Sequence, residues 1–288
     1  MKNIIIVGCG YIGRRIARLW RERGAGVTCL VRSPDSCAAL AGEGYAASFV
    51  SLDDVSAIDL HDSADAILYY LVPPPGGGIA DTRARNFISS LQQGPPPAMI
   101  VYMSATSVYS ETGGGTVTEA SPAEPESAMG KRRLDAEQAF REYGEQTGAA
   151  VIVLRVSGIY GPGRLPLMQV SQGQPLLREE ESGPSNRIHA DDLAAVCLAA
   201  ADRGLSGDIF NVSDGHPSSM TSYFNACADL LGYPRQPQVS LAEARQVMSP
   251  LMLSYVTESR VVDNSRMLDR LGVRLQYPTT REGLPACR

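Results

Sequence analysis

Apolar and polar positions in the first half of the chain follow two alternating periods. Ile4 to Val7 is a short unbroken apolar run, as expected of a strand buried on both faces. Over residues 11–23 the period becomes helical. Ile12, Ile16, Leu19 and Trp20 share one face, arginines fill the other, and Gly24-Ala25-Gly26 ends the pattern. Further strand patterns fall at Val27–Val31, 45–50, Ala66–Val72, Met99–Ser104 and Ala149–Leu154, with helical patterns at Arg83–Gln92 and 129–146. Pro73-Pro74-Pro75-Gly76-Gly77-Gly78 is expected to be a loop at the carboxyl end of the fourth strand. Gly113-Gly114-Gly115 is expected to be a second loop, leading toward the 129–146 helix. Asp191–Ala201 reads as a helix and Ile209–Val212 as a last short strand.

This alternation predicts an α/β protein with a doubly wound parallel sheet. The Gly8-Cys9-Gly10-Tyr11-Ile12-Gly13 segment makes the sheet Rossmann-type, because GxGxxG here follows a strand and opens a helix. Three glycines serve three needs: a tight turn, backbone approach to a pyrophosphate, and close packing of helix on strand. The helix start offers free N–H groups and a positive dipole end to phosphates. Residues 1–157 with 186–214 are expected to form the NAD(P)-binding domain. Residues 158–185, rich in Gly, Pro and Gln, are expected to join 215–288 in a smaller C-terminal substrate lobe.

The end of the second strand bears on the choice of cofactor. NAD-preferring folds place a carboxylate there, against the ribose 2′-hydroxyl, whereas arginine accommodates the 2′-phosphate of NADP. The chain reads Leu30-Val31-Arg32-Ser33. Arg32 can grip a phosphate in a bidentate way, so NADP is the expectation and NAD the alternative, in which Arg32 is a solvated loop residue.

Charge and cysteine usage narrow the setting. The net charge of -5 disfavours nucleic acid as a partner. The local basic face of Arg14, Arg15, Arg18, Arg21 and Arg23 is at least as well explained as a solvated helix surface. The six cysteines show neither a CxxC pair nor zinc spacing, so no metal site is expected, and a reducing cytoplasm fits best. The apolar run near the N-terminus is too short for a signal peptide, and no stretch approaches the roughly 18 apolar residues of a membrane span.

Several segments resemble the extended short-chain dehydrogenase/reductase superfamily, the group of NAD-dependent epimerases and dehydratases. They are Tyr102-Met103-Ser104-Ala105-Thr106-Ser107-Val108-Tyr109, Leu154 to Gly163 (an "LR…YGPG" segment), Arg187-Ile188-His189-Ala190-Asp191-Asp192-Leu193-Ala194, Ile209-Phe210-Asn211-Val212, and Tyr277 to Leu284. Their order and spacing span nearly the whole chain. The resemblance implies cofactor contacts from Gly8, Gly10, Tyr11, Ile12, Gly13, Arg32, Ser33, Val72, Pro73, Ser104, Met129, Arg133 and Gly158. It also implies a small-molecule substrate, sugar- or nucleotide-linked, and a homodimer as the commonest assembly. His189 is either a site residue or the anchor of a helix start. Asp191 and Asp192 read as helix caps.

The departures from the family bear on chemistry. The family's Tyr-x-x-x-Lys pair aligns with Met129 and Arg133, and Ala105 takes the place of the usual strand-five serine. Shifting the frame to use Lys131 as the lysine puts Ser127 at the tyrosine position, so neither frame restores the pair. Methionine cannot donate a proton, and losing a general acid–base group costs on the order of a hundredfold or more. The glycine pattern is GxGxxG rather than GxxGxxG, and Leu71-Val72-Pro73-Pro74-Pro75 replaces an Asn-Ala-Ala-Gly type of loop. The sequence therefore supports two functions. One is an NADP-dependent oxidoreductase or epimerase using Ser104, Thr106 or Tyr109, with Tyr160 in reserve. The other is a dinucleotide-binding sensor or scaffold without turnover.

Overall fold

A computed structural model describes residues 2–53 and 63–288. The chain runs β1 (Asn3–Val7), α1 (Tyr11–Glu22), β2 (Gly26–Val31), α2 (Pro34–Gly42), β3 (Ala46–Phe49), β4 (Ile67–Tyr70), α3 (Thr82–Leu91), β5 (Met99–Ala105), β6 (Gly113–Val117), α4 (Ala128–Thr147), β7 (Ala150–Val156) and β8 (Gly158–Tyr160). It continues with α5 (Leu167–Ser171), β9 (Leu176–Leu177), β10 (Pro184–Ser185), β11 (Arg187–His189), α6 (Ala190–Arg203), β12 (Ile209–Val212), β13 (Ser218–Ser219) and α7 (Met220–Leu231). The last elements are β14 (Gln238–Val239), α8 (Leu241–Val247), α9 (Pro250–Thr257), β15 (Ser259–Val262), α10 (Ser265–Leu271) and α11 (Thr280–Gly283).

Seven strands form one parallel sheet in the order β12-β7-β5-β4-β1-β2-β3. Its direction of growth reverses between β1 and β4, which places a crevice at the carboxyl ends of those two strands. Period-two alternation feeds two cores. Ile4 and Ile6 pack on one face with Ile16, Trp20, Leu193 and Val196. Ile5 and Val7 pack on the other with Phe87, Phe140 and Tyr143. With helices on both faces, the carboxyl edge is the place where the sheet meets a ligand.

Two features differ from the pattern-based expectation. Gly113-Gly114-Gly115 is strand, not loop, because β6 pairs in parallel with β15, whose sequence lies far downstream. A Cβ on Gly115 would lie 3.0 Å from Glu111 Cδ, so that side chain would have to shift to admit it. Residues 265–271 form a helix whose Met267 and Leu271 are buried in the core of the main sheet, although they lie within the stretch read as the lobe. Among the other small pairings, β9 with β14 and β10 with β13 link 158–185 to the C-terminal stretch, while β8 pairs with β11.

The basic face of α1 is neutralised at home. Arg14 pairs with Glu43, Arg15 with Asp191 at 2.8 Å and Arg23 with Asp202 at 2.6 Å. Arg21 donates to the Glu43 carbonyl at 2.8 Å and stacks on Tyr45.

A buried ion pair ties α4 to the sheet. Arg155 on β7 meets Glu137 on α4 through Nε–Oε1 at 3.1 Å and Nη2–Oε2 at 2.8 Å, and Glu137 is fully buried. Ser104 donates to the same carboxylate at 2.5 Å. Glu137→Ala would strand the guanidinium without a counter-charge. It should destabilise the fold by about 3–5 kcal/mol in denaturant unfolding, whereas pairing it with Arg155→Met should recover much of that loss. A cost below about 1 kcal/mol would show that the pair is not holding α4 in place.

Candidate active site

The glycine-rich turn joins β1 to α1 at the switch point. Gly8 sits at φ +88°, a conformation that disfavours any side chain, and a Cβ there would lie 3.0 Å from Val72 Cγ2. The amides of Gly8 and Cys9 both donate to the Leu30 carbonyl, at 2.9 and 3.2 Å. On Gly13 a Cβ would approach the Gly8 carbonyl oxygen to 2.9 Å and Ile6 Cγ2 to 3.1 Å. Gly10 is different, since a Cβ there would meet only the Gly8 carbonyl oxygen, at 4.0 Å. Two glycines are thus required by the protein itself, and the third opens onto free space. No side chain caps α1 and no acid stands in its first turn, which leaves the start of the helix open to an anion. This cradle fits a dinucleotide pyrophosphate. Tyr11 and Ile12 begin the helix, and Val72 and Pro73 follow β4 beside the turn.

Arg32 stands exposed at the end of β2 and makes no hydrogen bond or ion pair among the described residues. Ser33 is committed locally. Its hydroxyl caps α2 by accepting from the Ser36 amide at 3.2 Å, and it donates to Ser36 Oγ at 2.8 Å. Asp53 lies close enough for Arg32 to add to the effect of Arg83, whose bidentate contact at 2.7 and 3.2 Å holds the carboxyl below its usual range.

At the end of β5 the hydroxyls divide. Ser104 is buried on Glu137. Tyr109 is buried and donates to Asn211 Oδ1 at 2.6 Å, with the Arg155 guanidinium 4.8 Å from its ring centroid. Tyr160 is buried, donates to the Thr279 carbonyl at 3.3 Å, and has its phenol pushed up by burial. Thr106, half-buried in the turn after β5, makes no hydrogen bond through its hydroxyl among the described residues.

The start of α4 packs on that turn, since a Cβ on Gly130 would run into the Ser107 carbonyl oxygen. Met129 is 39% exposed beside it. Arg133 reaches back to the Met103 carbonyl at 2.9 Å and the Tyr102 hydroxyl at 3.5 Å. Ser127 is the helix cap, accepting from the Gly130 amide at 3.1 Å. Gly158 lies farther out, its amide donating to the Asn186 carbonyl at 3.0 Å. The site therefore gathers Gly8–Gly13, Val72 and Pro73 at the crevice and Thr106, Met129 and Arg133 at the end of β5.

His189 anchors a helix start. Nδ1 accepts from the Asp191 amide at 3.2 Å, and burial lowers the imidazole's pKa, which keeps it neutral. Because the histidine caps α6, Asp191 and Asp192 do not. Asp191 pairs with Arg15, and Asp192 accepts from the amides of Gln276 and Tyr277 at 2.7 and 2.9 Å. Pattern reading could not see these partners, which lie far away in sequence. It also missed Asp214, whose Oδ2 is buried without a hydrogen-bond partner among the described residues and whose carboxyl is pushed up to about 6 by burial.

Comparison with known proteins agrees with this architecture. Residues 84–213 match the sequence model of the NAD dependent epimerase/dehydratase family. The protein YeeZ of Escherichia coli K12 is 28% identical over 96% of this chain and 97% of its own length. A solved structure of a conserved protein of unknown function from Silicibacter pomeroyi is 28% identical, with a TM-score of 0.83 over 100% of this chain and 98% of that one. The dTDP-glucose 4,6-dehydratase of Bacillus anthracis, solved in complex with NAD, shares the fold at 15% identity, with a TM-score of 0.77 over 100% of this chain and 95% of that one. Over residues 84–213 the chain is thus similar to the NAD dependent epimerase/dehydratase family, and it shares its fold with solved dehydratases and epimerases. Among the described residues no helix is long and apolar enough to cross a membrane.

The three glycines give separable expectations. Gly13→Val should lower the melting temperature by several degrees, because its Cβ presses on backbone. Gly10→Val should melt within about two degrees of the wild type, since the added group enters open space. Thermal unfolding of both variants checks this, and equal losses would contradict the assignment.

Proposed function

We propose that this protein binds NADP in the β1–β4 crevice and acts as an epimerase/dehydratase-like oxidoreductase without the Tyr-x-x-x-Lys pair. Its proposed substrate is a small sugar- or nucleotide-linked molecule. The observation that carries the reading is Gly10, whose Cβ position opens onto free space beside the uncapped start of α1. The B. anthracis neighbour, named for a sugar nucleotide and solved with NAD, supports the substrate class. The guanidinium of Arg32, which makes no hydrogen bond or ion pair among the described residues although Asp53 lies near it, supports NADP over NAD, because an exposed cation at the end of β2 suits a 2′-phosphate. Segments 158–185 and 215–288, apart from α10, are the proposed substrate side. The six free cysteines accord with a reducing cytoplasmic setting.

Bound there, the cofactor supplies hydride transfer. The chain's own groups must then manage the proton on the reacting oxygen. Met129 offers no proton. Arg133 keeps its charge and stays on the Met103 carbonyl, so it positions rather than relays. Of Ser104, Thr106 and Tyr109, only Thr106 has a hydroxyl without a hydrogen bond among the described residues, and it is the proposed orienting group. A second reading, a dinucleotide-binding sensor without turnover, is favoured by the commitment of the Ser104, Tyr109 and Tyr160 hydroxyls to buried partners.

Calorimetric titration should show tighter binding of NADP(H) than of NAD(H). Arg32→Ala should weaken NADP about tenfold or more while leaving NAD unchanged, and Gly10→Val should bind neither. Equal affinities for the two cofactors would remove the NADP assignment.

Turnover is tested separately. Across a panel of carbonyl and sugar-nucleotide substrates the wild type should turn over slowly, and Thr106→Val should lose that activity while still binding NADP. Cofactor binding with no turnover on any substrate would support the sensor instead.

A further inference from the structure

Tyr11 directly follows Gly10, yet its hydroxyl reaches across to the loop after β8 and donates to the Pro162 carbonyl at 3.0 Å. That loop is shaped around the contact. A Cβ on Gly161 would lie 2.5 Å from the Tyr11 hydroxyl and 3.0 Å from Ala190 Cβ, so only glycine fits the approach. Gly163 sits at φ +73° and the Arg164 amide closes a turn onto the Gly161 carbonyl at 3.0 Å. The turn delivers Arg164 to the Tyr11 ring, with its guanidinium carbon 5.1 Å from the ring centroid.

A second arginine, Arg15, also stacks on the ring, at 4.1 Å. The two cations differ in their commitments. Arg15 is held by Asp191 at 2.8 Å and by the Tyr11 carbonyl at 2.9 Å. Arg164 is exposed and makes no hydrogen bond or ion pair among the described residues. Its backbone is fixed by the turn and its guanidinium rests over an aromatic face, with no anionic partner among the described residues. It stands over the residue next to the open position at Gly10.

We propose that Arg164 is an anion clamp that reaches over the pyrophosphate held on the Gly8–Gly13 turn, with Tyr11 as the positioning residue that sets it there. This inference rests on the dinucleotide reading of the crevice. A guanidinium suits the task because its planar fork meets two phosphate oxygens at once. Stacking on Tyr11 removes part of the rotamer freedom that binding would otherwise cost. The loop belongs to the proposed substrate side, so the same contact would draw that side onto the cofactor.

The test compares ligands with and without a pyrophosphate. ADP, NADP and adenosine are titrated by calorimetry into wild type, Arg164→Gln, Arg164→Lys and Tyr11→Phe at low and at physiological salt. Melting temperatures confirm that the variants are folded. Arg164→Gln should weaken ADP and NADP about tenfold, leave adenosine unchanged and flatten the salt dependence of ADP binding. Arg164→Lys should fall between, since it keeps the charge and loses the fork. Tyr11→Phe keeps the ring but not the tether, and should weaken ADP several-fold without touching adenosine. If Arg164→Gln binds ADP as the wild type does, or loses adenosine equally, the clamp is overturned while the dinucleotide site stands. If the wild type binds neither ADP nor NADP, the dinucleotide reading falls and this inference with it.

Discussion

The structure turns on one close approach, the packing of the start of α1 against the end of β1. Leu30 supplies a single carbonyl that accepts from both Gly8 and Cys9, which fixes the turn to the neighbouring strand. Gly13 then lets the first turn of helix sit on the Gly8 carbonyl. With those positions set, Ile12, Ile16 and Trp20 fall onto the sheet. The unpaired amides of the helix start are carried to the point where the strand order reverses. A Cβ at position 8 or 13 would push the helix away, and the crevice would lose the geometry that suits it to a phosphate.

A second constraint acts at the other end of the crevice and competes with chemistry. The Glu137–Arg155 pair is buried, so each charge must be met by its partner and by further hydrogen bonds. Ser104 and Tyr109 are drawn into meeting that demand: Ser104 donates to the carboxylate and the Tyr109 ring lies against the guanidinium. Hydroxyls that a strand-five segment would otherwise offer to a substrate are here engaged in holding α4, β5, β7 and β12 together. The loss of a reactive hydroxyl at position 129 and the commitment of those on β5 and beyond it point the same way. Thr106 and Ser107, in the turn beyond the strand, are not recruited by the ion pair, and neither hydroxyl makes a hydrogen bond among the described residues.

How much of this was legible in the sequence follows the range of each signal. Strands such as β1 and β12, and helices such as α1, were readable because apolar periodicity is local. The Rossmann order was readable because GxGxxG stood between a strand and a helix. β6 was not, because three glycines carry no strand signal and their pairing partner, β15, is contributed from far downstream. The helix at 34–42 carries little apolar periodicity, and its signal is the Ser33-Pro34 start, with Ser33 as its cap. Asp192 read as a cap because an acid at a helix start usually is one. Nothing local reveals that it satisfies the amides of Gln276 and Tyr277 instead. The commitments of Ser104 and Tyr109 were hidden for the same reason, since each partner is supplied by another element.

The C-terminal stretch and the main sheet are joined at the end of β5 itself. Arg260 on β15 donates to the Thr106 carbonyl through Nη1 and to the Glu111 carbonyl through Nε, each at 2.7 Å. Its third contact, to Glu258, balances the charge at 3.3 Å. The turn that carries the free Thr106 hydroxyl is therefore positioned from two sides, by the strand it leaves and by an arginine of the C-terminal stretch. Asn186 reinforces the connection by donating to the Arg260 carbonyl at 2.7 Å and accepting from the Val262 amide at 2.9 Å. Separating β15 from this turn would be costly, because a buried guanidinium gripping two carbonyls cannot give up one without leaving polar groups unsatisfied.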